Sequence, residues 1–332
     1  TNFFPTANFN YAFSRTKNLR ISYRGRTNQP NISQLQDVPD VSDPLRVVTG
    51  NPSLKQEFNN NVNVNFSSFD PVSFRYLSAN INFGNTSNRI VNSIDSAAKG
   101  VQLIRPVNLN GSYNAGSSIS VGFPLRGKMK GSNINLSNNI NYNRDVSLVY
   151  KQENVTSTFS VTQSAGVNLD FEEKVNLGLN ASLTFNNVDY SIENAGSQDQ
   201  RYYTQTYSAD ISVTFLKSLI LSTDFDYLIN TGRSDGFNQN IPLWNSSLAL
   251  QVFKKKNGEI KFSVNDILNQ NQSITRMATA NYILDTRTVV LQRYFMLTFT
   301  YNLNRAGAPE GQRRNMPNMP RSIQRQMQRS MN

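Results

Sequence analysis

The chain contains no cysteine and no histidine, and no run of apolar residues approaches the roughly 18 that a membrane helix needs. Without cysteine there is neither a disulfide framework nor a thiolate metal site. Without histidine the commonest general base and the commonest metal ligand are missing, so no Ser-His or Asp-His device forms within this chain. The scattered carboxylates, Asp224 and Asp226 among them, show no spacing beyond strand alternation. No catalytic site, metal or cofactor is therefore expected. The chain opens at Thr1 with no Met, basic n-region or apolar h-region, and the expectation is a mature fragment of something longer.

Hydrophobic residues are also scarce, at 38% of 332 residues, and the mean hydropathy is −0.48. Such values ordinarily argue for solubility. A membrane barrel escapes that argument because every second wall residue faces a polar interior, which dilutes the apolar count in any window.

What is present is alternation. In the last regular segment, Arg293 to Leu303, the residues Phe295, Leu297, Phe299, Tyr301 and Leu303 share one side of an extended strand, and Met296, Thr298, Thr300 and Asn302 share the other. The same period recurs upstream. Phe9, Tyr11 and Phe13 turn at 15–17 into Leu19, Ile21 and Tyr23; Val62, Val64 and Phe66 turn at Asp70-Pro71 into Leu77, Ala79, Ile81 and Phe83. A long extended stretch from Val101 to Phe123 follows, then Ile134, Leu136, Ile140 and Tyr142, with Asn138 breaking the row.

The middle of the chain has the clearest pattern. Phe159 to Phe171 keeps one apolar row apart from Gln163, and Val175, Leu177, Leu179, Ala181, Leu183 and Phe185 form the next, opposite Asn176, Gly178, Asn180, Ser182 and Thr184. Rows at 207–215, 219–229, 248–252 and 260–264 continue it, with a strand extension expected around 274–282. About twelve strands result, an even number suited to an antiparallel barrel.

Short connections (15–17, 70–71, 172–174, 217–218, 254–259) alternate with long ones (27–56, 93–99, 145–155, 193–200, 231–241). The longest, 27–56, carries Pro30, Pro39, Pro44 and Pro52 and is expected to be a loop with one helical turn near 33–36. A soluble β-sandwich is the competing reading. Soluble strands run about five or six residues, however, and the central rows here run twice that. No Lys or Arg interrupts those rows, where at a bilayer midplane it would cost roughly 2–4 kcal/mol. The expected fold is an all-β, up-and-down transmembrane barrel wall at 1–304.

Residues 305–332 carry Arg305, Arg313, Arg314, Arg321, Arg325 and Arg329 against Glu310 alone, or +5 of the net +11. This tail is expected to be disordered, and periplasmic by strand parity. Nucleic acid is not an expected partner, since the basic residues do not gather on an aromatic platform.

The segment Gly50-Asn51-Pro52-Ser53-Leu54-Lys55-Gln56-Glu57 resembles the N-P-x-L-K-P-E signature that opens a barrel strand in TonB-dependent receptors, with Gln56 in place of proline. The stretch from Phe4-Pro5 through Asn28-Gln29-Pro30 looks like the region before that signature. Asn265 to Asn271, followed by Leu291 to Leu297, is similar to the C-terminal end of the related outer-membrane barrel family. The resemblance implies a bacterial outer-membrane barrel in contact with lipid, about 22 strands when complete, surrounding an N-terminal plug through which the TonB energy-coupling system would act. Its implied function is uptake of a bulky extracellular nutrient. A structural or adhesive surface barrel without transport is the alternative. For substrate contact, Gln34, Asp37, Asp40 and Asp43 on the longest loop are the candidates, although charged loop residues are usually only solvated.

Overall fold

The structure is a computed structural model that describes residues 3–96, 101–125, 127–129, 131–171, 174–192, 200–233, 237–254, 256–278, 283–288 and 290–302. Leu303 and the basic tail lie outside the described residues. The alternating rows form β1 (Thr6–Ser14), β2 (Lys17–Asn28), β4 (Glu57–Phe69), β5 (Tyr76–Ser87), β8 (Ser112–Pro124), β9 (Asn133–Val149), β10 (Gln152–Phe171), β11 (Val175–Tyr190), β12 (Gln200–Phe215), β13 (Leu219–Thr231), β14 (Gln239–Val252), β15 (Gly258–Asn265) and β18 (Tyr294–Tyr301). In that order they make one unbroken path of thirteen strands, each antiparallel to the next.

The register carries one apolar row through the whole path. Leu136 lies opposite Ala165, Ala165 opposite Ala181, and Ala181 opposite Tyr207; further on, Phe225 faces Trp244 and Phe262 faces Leu297. This face is open. Leu179 is 46% exposed and Leu183 45%, whereas Gly178 between the same neighbours is buried and Asn180 and Ser182 are half-buried. A sandwich would reverse that order by covering the leucines with a second layer. Here the polar face is the crowded, inward one.

Inward-facing polar side chains are paired across strands. Arg20 Nε donates to Asn10 at 3.0 Å, Asn80 Nδ2 to Asn63 at 2.9 Å and to Asn65 at 2.5 Å, and the hydroxyls of Thr162 and Thr184 meet at 2.9 Å. Room for such ladders comes partly from glycine. A Cβ at Gly116 would stand 2.5 Å from Asn82 Oδ1 and 3.0 Å from Asn141 Oδ1, so the carboxamides of both neighbouring strands lie over it.

The two polar breaks in the apolar row turn out to be one feature. Asn138 and Gln163 are direct cross-strand partners on β9 and β10, beside a shallow notch of about 420 Å³ floored by Ala165 and Ala181.

Several expectations are corrected. The path holds thirteen strands and not an even twelve, so β1 and β18, its two free edges, run in the same direction. The stretch from Val101 to Phe123 is not one strand. Gly111, at φ +99°, separates β7 (Gln102–Leu109) from β8, and β7 leaves the wall to pair with β6 (Arg89–Ser96). The segment expected to extend a strand at 274–282 enters a separate hairpin of β16 (Ser273–Ala278) with β17 (Ile283–Thr288). The supposed long loop at 145–155 is strand almost throughout. β9 and β10 meet in a tight turn at Tyr150 and Lys151, whose φ values of 49° and 64° suit the mirror-image turns that match strand twist. In the 27–56 loop the helical turn appears as α1 (Ile32–Leu35), with Asn31 capping it, and β3 (Arg46–Val48) runs parallel to β7.

Candidate functional site

Both inserted hairpins stand at one end of the wall, the end carrying the long connections, where both touch inward-phase side chains and β6 also pairs in parallel with the end of β9 at Ser93–Leu148 and Ile94–Val149. The first is β6–β7. Ile90 N donates to Glu57 Oε1 at 2.7 Å, and the Arg89 guanidinium pairs with Asp145, which shares the inward phase of β9 with Asn141 and Asn143. Burial pushes the Arg89 guanidinium below its ordinary pKa, and the nearby Glu57 carboxylate opposes that.

The signature residues build this contact. Gly50 lies against the backbone of Gln36, whose carbonyl oxygen would be 2.2 Å from an added Cβ, so only glycine fits without a shift. Asn51 Nδ2 donates to Pro106 O at 2.9 Å while its Oδ1 accepts from Ser53 N at 3.0 Å. Leu54 N donates to Asn51 O at 3.2 Å, and Pro52 stands in the turn they close. Lys55 N and O both bond the Asn108 carboxamide, at 2.7 and 2.9 Å. Glu57 closes the set by accepting from Asn28 Nδ2 at 3.1 Å as well. The motif is a clasp that seats the longest loop on the β6–β7 hairpin.

The second similar segment, Asn265 to Asn271, is a clasp of the same kind. Asp266, buried and at φ 52°, accepts from Gln270 N and Asn271 N at 2.9 Å each and donates its own N–H to Asn245 Oδ1 at 2.8 Å. Asn271 Nδ2 reaches Leu291 O at 2.9 Å and Asn269 Oδ1 accepts from Arg293 N at 3.1 Å, which pins the hairpin base and the entry to β18. In β18 itself, Phe295, Leu297, Phe299 and Tyr301 are exposed on the apolar face at 65%, 73%, 61% and 48%, as a free edge requires.

The four loop candidates serve their own loop. Gln34 Oε1 accepts from Asn31 N at 2.9 Å, and Asp37 from Thr49 Oγ1 at 2.8 Å. Asp40 accepts from Ser42 and bridges Val48 through its backbone; Asp43 accepts from Leu45 N at 3.0 Å. The hydrogen bonds from the Ser42 hydroxyl and N–H hold the Asp40 carboxyl below its ordinary pKa.

A cluster under the β16–β17 hairpin had no signal in the alternation beyond Tyr202, an aromatic residue placed in the polar phase of β12. Arg276 on β16 is 1% exposed and grips Asp285 of β17 with two bonds of 2.5 and 2.6 Å. Its remaining nitrogen donates to Gln200 at 2.7 Å, and its guanidinium lies 5.2 Å from the centre of the Tyr202 ring. Arg233, beyond the end of β13, lies 5.8 Å from the same ring. Val188 and Tyr190 bury the ring's edge from β11.

Among the described residues no group of three or more acidic side chains is arranged to hold a metal, and no helix is long and apolar enough to cross a membrane, which leaves strand crossings untouched. A long antiparallel wall with an open apolar exterior and a hydrogen-bonded polar interior defines an integral membrane β-barrel protein. The model of the outer membrane protein beta-barrel family matches residues 1–162 and 132–301, and the chain belongs to that family, which places it in the bacterial outer membrane. Among curated proteins no relative matches.

Proposed function

We propose that this wall belongs to a TonB-dependent-receptor-like transporter that takes up a bulky nutrient, with the long-connection end extracellular and the short turns periplasmic. The observation that supports it best is the placing of β6–β7 and β16–β17, both at one end of the wall and both bonded to its inward-phase side chains. A merely structural wall has no use for two clasped hairpins at one end, whereas a transporter needs a rim that meets solute before the polar interior does. The resemblance of Gly50 to Glu57 to the receptor signature points the same way. In this reading energy enters through a plug and the TonB system, and the chain is a conduit with no catalytic step.

The test compares wild-type and gene-deletion cells for uptake of a panel of bulky nutrients, with and without a protonophore. Loss of uptake on deletion, together with protonophore sensitivity in the wild type, is the expected result. A deletion strain that takes up every nutrient normally but loses surface attachment would overturn it in favour of an adhesive barrel.

A further inference from the structure

We propose that Arg233, Asn230 and Arg276 form an oxyanion site at the rim, taking a carboxylate, phosphate or sulfate group borne by a solute. The placement of this rim on the outside rests on the transport reading; the chemistry of the site does not. Two guanidiniums share the Tyr202 ring, and among the described residues that contact them there is one carboxylate, Asp285, held bidentately by Arg276. Arg233 itself makes no ion pair among the described residues.

The free donors belong to the other members. Arg233 Nη2 donates to Thr204 Oγ1 at 3.3 Å, but Nε and Nη1 are shielded from solvent without a partner. Asn230, 1% exposed, accepts from the same Thr204 hydroxyl at 2.9 Å and leaves its buried Nδ2 without a partner. Thr204 thus brings three unused N–H-bearing atoms into one neighbourhood, all donors, two of them on a cation. Buried donors left unsatisfied are costly, and a guanidinium matches the two oxygens of a carboxylate or phosphate in a fork. Burial and the like charge of Arg276 both push the Arg233 pKa down, the direction a bound anion reverses. A neutral solute offers no such compensation.

The test uses the full-length protein in detergent, with its unfolding midpoint followed against phosphate, sulfate and acetate at constant ionic strength set by chloride. The midpoint is expected to rise and saturate with at least one of the three oxyanions, and the preferred one identifies the group. Arg233→Gln should weaken that binding roughly tenfold or more, the weight of a charge-assisted pair. Asn230→Asp supplies a carboxylate of the same shape inside the cluster, so it should raise the anion-free midpoint and abolish the oxyanion response. No response in the wild type, or an equal response in Arg233→Gln, would overturn the proposal. Because the readout is stability and not uptake, a failed transport assay leaves this result independent.

Discussion

Placing an arginine at two positions three residues apart on β11 separates the two faces energetically. The apolar row from Val175 to Phe185 spans ten residue steps; at about 3.3 Å per residue and a tilt near 40°, it rises about 25 Å, the height of the apolar band of an outer-membrane barrel. Leu179, next to the midpoint and 46% exposed on that row, would present a charge to hydrocarbon, so Leu179→Arg should cost about 2–4 kcal/mol. Ser182 sits on the inward row, where its hydroxyl oxygen accepts from the Ser164 hydroxyl at 3.0 Å. Ser182→Arg forfeits that bond, about 0.5–1.5 kcal/mol, and its charge faces a polar interior. Urea unfolding of each variant in lipid vesicles gives both values. The reasoning is refuted if Ser182→Arg costs as much as Leu179→Arg.

Other outcomes follow from particular contacts. Replacing the lipid-facing carboxamides with leucine, Asn138→Leu with Gln163→Leu, should stabilise the barrel by about 1–3 kcal/mol in the same assay, since two polar groups facing each other on the hydrocarbon side give way to apolar ones. Asn51→Ala removes the bond to Pro106 O and should speed amide exchange at β3 and β7 while leaving β10 and β11 protected. In the turn after β4, the Ser73 hydroxyl and the Val72 N–H donate to Asp70 and hold its pKa below the ordinary value. A depressed carboxyl pKa means that the turn is fully stabilised above the unfolded value of about 3.9 and loses that support as pH falls through the folded one. Asp70→Asn should flatten the pH dependence of the Val72 amide shift in this range.

The wall was legible from sequence because its rule is local: side chains alternate, and a solvent that differs on the two sides selects each row independently of distant contacts. That is why Val175 to Phe185 could be assigned residue by residue. The rim obeys no such rule. In β7, QLIRPVNL, one strand leaves the wall and borrows partners from a loop fifty residues away, as Lys55 does with Asn108. Arg276 and Asp285 become partners only through the hairpin register, and Arg233 joins them through a ring on a third strand. The signature Gly50 to Glu57 was visible as a motif, but its work as a clasp depended on Pro106, Asn108 and Ile90, which no spacing in the chain connects to it.

The absence of cysteine makes the central claim directly measurable. Single cysteines placed in turn from Leu177 to Thr184, each carrying a small fluorophore, can be read in vesicles against a quencher confined to the acyl chains. Quenching should peak at 177, 179, 181 and 183 and drop at 178, 180, 182 and 184. Equal quenching along the strand, or maxima on the even positions, would contradict a wall whose leucines face lipid.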